Sequence, residues 1–409
     1  MWVLDKLLGG MLREGQMTVT YADGTKKTYG VPGTGRQVGI RIMDRRVVRE
    51  IVRNPRLGFG EAFIDGRLTI DNGDILDFLD FVTTNVRWER GGGGRKALKR
   101  GGNKLINRWR RLNWESRSKR NVAHHYDLSD RLYDLFLDED RQYSCAYFTD
   151  PGNSLDQAQS DKKAHIAAKL YLKPGQRVLD IGSGWGGMAL YLNRIADVDV
   201  LGITLSEEQI KVARRRAEEA GVADRVKFEL TDYRKVTGRF DRIVSVGMFE
   251  HVGPTHYAAF FRKCRELLAE DGVMLLHTIG KLGPAGSGTG DPFTHKYVFP
   301  GYYLPALSEM CRASEPSRMI VADVENLRLH YAHTLRHWLA RTRAAREEIV
   351  ALYEERFFRL WEFYLAGGIT MFENGSGCVY QIQYIRDRYT LPITRDYMIE
   401  AEGRLRAQE

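Results

Sequence analysis

"VLDIGSGWGG", residues 178–187, is the stretch on which the reading of this chain turns. Val178, Leu179 and Ile181 have the pattern of a buried strand, and Gly182, Gly184, Gly186 and Gly187 follow where a helix begins. Glycine lets a backbone turn tightly and approach a ligand with no side chain in the way. The run also satisfies G-x-G-x-x-G, so a dinucleotide has to be weighed, as does a turn that serves helix packing alone.

Two features favour S-adenosylmethionine over a dinucleotide. Asp180 stands just before the turn, as in methyltransferase first motifs, and the second strand ends in "GITLS", without the acid that grips an NAD ribose. Further on, "TDYR" supplies Asp232 to accept from an adenine and Tyr233 to stack on it.

Outward from the glycine turn, helices alternate with short apolar strands: "QRVLDIGSG", "VDVLGITLS", "VKFELTDY", "FDRIVSVGMF" and "GVMLLHTIG". That order predicts a largely parallel sheet covered by helices. Residues 1 to about 86 read as a smaller α+β unit, with a turn at Asp23 and Gly24 and helices around "DRRVVREIVRN" and "GDILDFLDFV". Its opening places Trp2, Val3, Leu7, Leu8, Met11 and Leu12 on one helical face, which either packs on its own domain or lies on lipid. Residues 330–365 predict long helices with a buried stripe of Leu335, Trp338, Leu339, Ile349, Leu352, Phe357, Leu360 and Trp361.

The 409 residues fit two or three domains. Cys145, Cys264, Cys311 and Cys378 lie far apart, which argues against a disulfide framework or a zinc site and for a reducing cytosol. No apolar stretch reaches the ~20 residues of a membrane span, and no signal peptide opens the chain. Residues 87–120 hold thirteen Lys or Arg against two Glu, a net +11, leaving −2 of the total +9 elsewhere. With Gly91 to Gly94 this segment reads as a linker. Its charge and its Trp88, Trp109 and Trp114 suit a phosphodiester polyanion, either lipid or nucleic acid.

"FDRIVSVGMFEHVG", residues 240–253, ends a strand on two ionisable groups, Glu250 and His251, at the edge where open α/β sheets hold ligands. The same edge should carry His277 after the fifth strand and Tyr331 at the start of the late helices. "QYSCAYF", residues 142–148, would lie over the cofactor as a lid. Each residue taken singly also has a structural reading: a satisfied histidine, a carboxylate capping a turn, a cysteine filling the core.

Together, "YDLSDRLYDLFLDEDRQYSCAYF", "VLDIGSGWGGMALYL", "GITLSEEQ", "RIVSVGMFEHVG", "HTIG" and "YAHTLRHW" resemble the cyclopropane fatty acid synthase family from about residue 121 to 390. The resemblance implies an α/β, Rossmann-like methyltransferase fold, with a mostly parallel seven-stranded sheet and helices on both faces, plus a small N-terminal α+β domain. The expected division is 1–86 as a lipid-engaging domain, 87–120 as the basic linker, and 121–409 as the catalytic domain.

The activity implied is methylation of a cis double bond in an unsaturated phospholipid acyl chain, followed by proton loss that closes a cyclopropane. The resemblance places a bicarbonate as base, held by the side chains of Glu250, His277 and Tyr331 and mainly by the backbone of Cys145 and Ile279. It assigns S-adenosylmethionine to Tyr143, Ser144, Gly182, Gly184, Thr204, Leu205, Gln209, Asp232 and Tyr233. Aromatic faces would steady a cation, and the sequence supplies Tyr143, Tyr147, Phe148, Trp185 and Phe249 near the site without setting which of them face the acyl chain. His251 is expected to support its turn, and Cys378 receives no role. The partners implied are membrane phospholipid, with anionic headgroups meeting residues 87–120, no nucleic acid, and a possible homodimer, at the inner face of the cytoplasmic membrane. Two other outcomes stay open: a methyl- or methylene-branched product, and a binding protein that keeps the fold without turnover.

Overall fold

The computed structural model describes residues 2–91, 129–286 and 290–408; most of the basic 87–120 segment lies outside these. The chain divides into two compact units, one of Met1–Lys104, Gly290–Pro300 and Leu335–Gly377, the other of Leu105–Thr289, Gly301–Thr334 and Cys378–Glu409. This differs from the division expected at residues 86 and 120. The helix Glu355–Glu373 packs on Ile75–Asn85 and Pro55–Ile64, so much of the late helical stretch belongs with the first unit.

In the first unit four strands, β1 (Gln16–Thr20), β2 (Lys26–Gly30), β3 (Gln37–Ile42) and β4 (Leu68–Asn72), form a sheet in the order β2-β1-β3-β4. The expected turn is present: Gly24, at φ +84°, donates to Tyr21 O at 2.8 Å, and Asp23 Oδ1 accepts from Thr25 N at 3.0 Å. Asp74 caps Ile75–Asn85 reciprocally with Asp77. The late stretch is three helices, His330–Ala344, Arg346–Tyr353 and Glu355–Glu373, interrupted at Glu354, where φ is +108°. The expected stripe is corrected at two places. Leu352 is 45% exposed, and Phe358 is buried in place of the partly exposed Phe357.

The second unit carries the seven-stranded sheet: β5 (Arg177–Ile181), β6 (Asp199–Thr204), β7 (Val226–Leu230), β8 (Phe240–Val246), β9 (Leu268–Lys281), β10 (Ile320–Asn326) and β11 (Gly377–Ile385), in the order β10-β11-β9-β8-β5-β6-β7. The five expected strands, β5 to β9, pair in parallel, and β10 runs antiparallel to β11. Alternate side chains enter two different cores. Leu179, Ile181, Ile243 and Leu276 pack with Phe260 and Phe261, whereas Val178, Val200, Val244 and Leu275 pack with Ala164, Leu192 and Ile210. This period of two, buried on both sides, is why the central strands read as continuous apolar runs. It fixes the register that carries functional side chains to one edge.

Candidate active site

At the carboxyl edge of β5, three glycines take the left-handed conformation: Gly182 at φ +90°, Gly184 at +55° and Gly186 at +88°. A Cβ on Gly186 would meet the Phe228 ring at 2.7 Å, and one on Gly182 would meet Met248 at 2.9 Å, but one on Gly184 meets nothing within 4 Å. Gly184 therefore faces open space, in a cleft that opens to solvent. All nine residues expected for the cofactor, Tyr143, Ser144, Gly182, Gly184, Thr204, Leu205, Gln209, Asp232 and Tyr233, line this cleft. So do Asp180, Trp185 and His251, the last of which had been expected only to support its turn.

Local structure explains the placement. Thr204 ends β6 and its hydroxyl donates to Gln209 Oε1 at 2.9 Å, while Ser206 caps the helix Glu207–Glu219 by accepting from Gln209 N. Asp232 caps the turn after β7 and is gripped by Arg234, whose Nε and Nη2 donate to its two oxygens at 2.8 and 2.6 Å. This ion pair, absent from the sequence reading, outweighs desolvation and holds the Asp232 carboxyl below its usual range. A carboxylate has about four acceptor sites, so capacity for another donor remains. Tyr233 is set edge-on against Phe260, with ring centroids 5.3 Å apart.

Residues 142–148 are pinned down. Gln159 Nε2 donates to Gln142 O and Ser144 O, Ala146 N donates to Thr334 Oγ1 at 3.0 Å, and Phe148 N donates to His330 Nδ1 at 3.0 Å. Beneath them lies Lys162, which the sequence reading missed. It is fully buried and donates to Gln142 Oε1 at 2.5 Å and Ser144 Oγ at 3.0 Å; burial pushes its pKa down to about 8. Leu155–Leu170 is buried on most of its circumference and mixes polar with apolar residues there, so its pattern did not single the lysine out. Asp180, within its field, is pushed up to about 7 by burial.

The structure separates the aromatic residues that the sequence supplies near the site. Tyr143 and Trp185 line the cleft and gather around Tyr133, at 5.6 and 5.0 Å. Phe249 turns instead into the core against Tyr257, Phe260 and Phe261, and Tyr147 is stacked between His165 and His330.

The residues expected at the anion site, Glu250, His277, Tyr331, Cys145 and Ile279, lie outside the cleft lining. Because β8 and β9 run parallel with Val246 opposite His277, Glu250 and Ile279 both fall just past the last paired residues. Gly247, at φ +67°, turns the chain while donating to His277 O at 2.9 Å. Glu250 Oε1 then accepts from Ile279 N at 2.5 Å. Its other oxygen, Oε2, is buried with no hydrogen-bond partner among the described residues. Burial raises this carboxyl to about 7, against weaker opposition from backbone N–H groups and the Thr278 hydroxyl. His277, Cys145 and Tyr331 are buried as well, at 2%, 1% and 7% exposure. Burial pushes the Cys145 thiol well up, so it is no nucleophile.

Orphaned polar atoms test which ligands fit. In the cleft, Asp180 Oδ2 and Ser183 Oγ are buried without partners among the described residues, suiting a ligand that brings an ammonium and hydroxyls. At Glu250, the orphan Oε2 suits a small ligand that carries an O–H.

The fold and cleft define a class I S-adenosylmethionine-dependent methyltransferase. Comparison narrows this. The family model for mycolic acid cyclopropane synthetase matches residues 114–382, and a model for a domain of unknown function matches residues 3–87. A probable fatty acid methyltransferase of Pseudomonas putida is 36% identical over 90% of this chain and 92% of its own. The cyclopropane-fatty-acyl-phospholipid synthase of Escherichia coli K12 is 39% identical over 80% of this chain and 82% of its own. The crystal structure of mycolic acid cyclopropane synthase CmaA1 complexed with SAH and CTAB has a TM-score of 0.62 at 35% identity, covering 67% of this chain and 99% of that one. The chain belongs to the cyclopropane synthase family and is a C-methyltransferase.

Proposed function

We propose that this enzyme converts a cis double bond of an unsaturated phospholipid acyl chain into a cyclopropane ring. The observation that carries the reading is the buried Glu250 carboxyl, with one oxygen on Ile279 N and the other without a partner among the described residues, in a fold whose cleft suits S-adenosylmethionine. Tyr143, Ser144, Gly182, Gly184, Thr204, Leu205, Gln209, Asp232 and Tyr233 would hold that cofactor, which supplies an electrophilic sulfonium methyl. Glu250, His277 and Tyr331, with the backbone at Cys145 and Ile279, would hold bicarbonate, which supplies a base.

An alkene needs no deprotonation before it attacks a methyl group; the proton must be removed afterwards, from the carbon just added. Glu250 is therefore assigned to accepting the bicarbonate O–H rather than to removing that proton itself. His277 and the Ile279 backbone lie in the same buried edge, where exclusion of water protects a cationic substrate from being trapped as an alcohol. Tyr143 and Trp185 place π faces at the cleft, where they favour positive charge.

The test is incubation with S-adenosylmethionine and vesicles of monounsaturated phospholipid, followed by chromatography of the fatty acid methyl esters. Cyclopropane esters are expected, and NMR separates them from branched isomers of equal mass. Unchanged alkene from protein that still binds S-adenosylhomocysteine would overturn the proposal.

A further inference from the structure

The helix Leu155–Leu170 sends a second lysine into a closed polar chain that the chemistry above does not use. Lys169 is 2% exposed; its ammonium donates to Glu325 Oε2 and, at 2.8 Å, to Gln381 Oε1. Gln381, itself buried in β11, places Nε2 3.2 Å from His277 Nδ1. The same Glu325 oxygen lies 2.7 Å from His165 Nε2, and His165 Nδ1 lies 2.8 Å from Glu402 Oε2. Glu325 is thus braced by two partners, and Lys169 by Glu325.

The chain has a direction. An ammonium has donors only, so the Gln381 atom facing Lys169 must be its carbonyl oxygen. The amide is thereby oriented, and its NH₂ faces His277. An NH₂ can only donate, so Nδ1 of His277 accepts and carries no hydrogen. Burial first, and then the charges of Lys162, Lys169 and His165, push the imidazole pKa well down, so the ring is neutral. A neutral ring with a bare Nδ1 carries its hydrogen at Nε2.

We infer that Lys169 and Gln381 are positioning residues that lock His277 in the Nε2–H tautomer, so that the ring presents a donor to an anion. The inference rests on the anion-site reading above. With the opposite tautomer Nε2 would offer a lone pair, which repels bicarbonate oxygens instead of binding them. Metal-bound histidines are governed in the same way, by the partner on the far nitrogen.

The test is long-range ¹H–¹⁵N correlation NMR of the full chain labelled at its ten histidines. His277→Gln identifies the signal by removing it. A pyrrole-type Nε2 and a pyridine-type Nδ1 are expected in the wild type; hydrogen at Nδ1 would overturn the inference without any activity measurement. In Gln381→Glu the new carboxylate accepts from both neighbours, so the hydrogen should move to Nδ1. Turnover should then fall about tenfold or more, with S-adenosylhomocysteine affinity unchanged. A reversed tautomer with full turnover, or an unreversed one, would also overturn it. Should that variant fail to fold, Lys169→Met frees the amide to rotate, and a mixture of tautomers is expected in place of one. Absence of cyclopropane product from the wild type would sink the proposed function and leave the tautomer assignment standing.

Discussion

Glu250 is 4% exposed, so the fold holds a carboxyl group where its ionised form is poorly solvated. Its pKa is about 7 in the folded chain against an ordinary 4.5, so between these values the native state binds more protons than the unfolded one. Stability from this group is therefore full below about pH 4.5, declines as pH rises to 7, and is flat above. Glu250→Gln removes the charge and keeps the shape. The variant should be more stable than the wild type by about 1–3 kcal/mol at pH 8 and no more stable at pH 4, as urea titration would show. Its turnover should fall at least about 100-fold, since the amide donates where a carboxylate must accept. Equal stability at pH 8 would contradict the burial argument, and retained turnover would remove Glu250 from the anion site. The position of Glu250 was legible because it comes shortly after the apolar strand β8, whereas His277, expected after the fifth strand, lies inside β9. Side-chain orientations were not legible: whether Phe249 faced ligand or core depended on Tyr257, Phe260 and Phe261, and the Asp232–Arg234 pair left no trace in spacing.

The turn after β5 separates two demands that its glycines answer differently. At Gly186 a methyl group would strike the Phe228 ring and Ala213, at 2.7 and 3.1 Å, in a packed core. Gly186→Ala should accordingly destabilise the protein by about 2–4 kcal/mol, from overpacking plus left-handed strain. Gly184→Ala meets no atom within 4 Å but has the same backbone strain and projects from the cleft lining. It should cost only about 1–2 kcal/mol of stability while weakening S-adenosylhomocysteine binding about tenfold or more. Thermal melts and titration calorimetry of the two variants check this; if the loss of affinity tracks the loss of stability in both, the glycines share one role. The strands β5, β6, β8 and β9 were readable as largely buried apolar runs, and the edge strand β7 by its alternation, Val226 and Phe228 buried between exposed Lys227 and Glu229. β10 and β11 were not: β10 is largely exposed, and β11 buries Gln381 and Gln383, polar residues made tolerable by partners such as Lys169. Periodicity shows an apolar face but not a partner supplied from 200 residues away.

On the scale of the molecule, the sequence marked a change of character near residue 86 but could not reveal that the helix Glu355–Glu373 returns to the first unit. Pairs such as Asn374 with Asp80 and Arg343 with Asp74 join residues about 270 to 290 positions apart, and no local pattern encodes them. Charge, by contrast, is additive and can be read directly. Residues 87–120 carry +11 while the rest of the chain sums to −2, and among the described residues no helix is long and apolar enough to cross a membrane. If the substrate is phospholipid, the segment that brings the enzyme to it should be this one, at about 1 kcal/mol per basic residue near anionic lipid. Such attraction is screened over ~10 Å at 0.1 M salt and ~3 Å at 1 M. The protein should therefore sediment with phosphatidylglycerol vesicles at 0.1 M salt and be released at 1 M, with little binding to phosphatidylcholine vesicles in either. Reversing four of the arginines within 95–120 to glutamate should abolish sedimentation and leave S-adenosylhomocysteine affinity intact, because that cleft is built from residues 141–256. Binding that ignores salt and headgroup would point to an apolar contact in place of the basic segment. Displacement from the vesicles by equimolar duplex DNA would reassign the segment to nucleic acid.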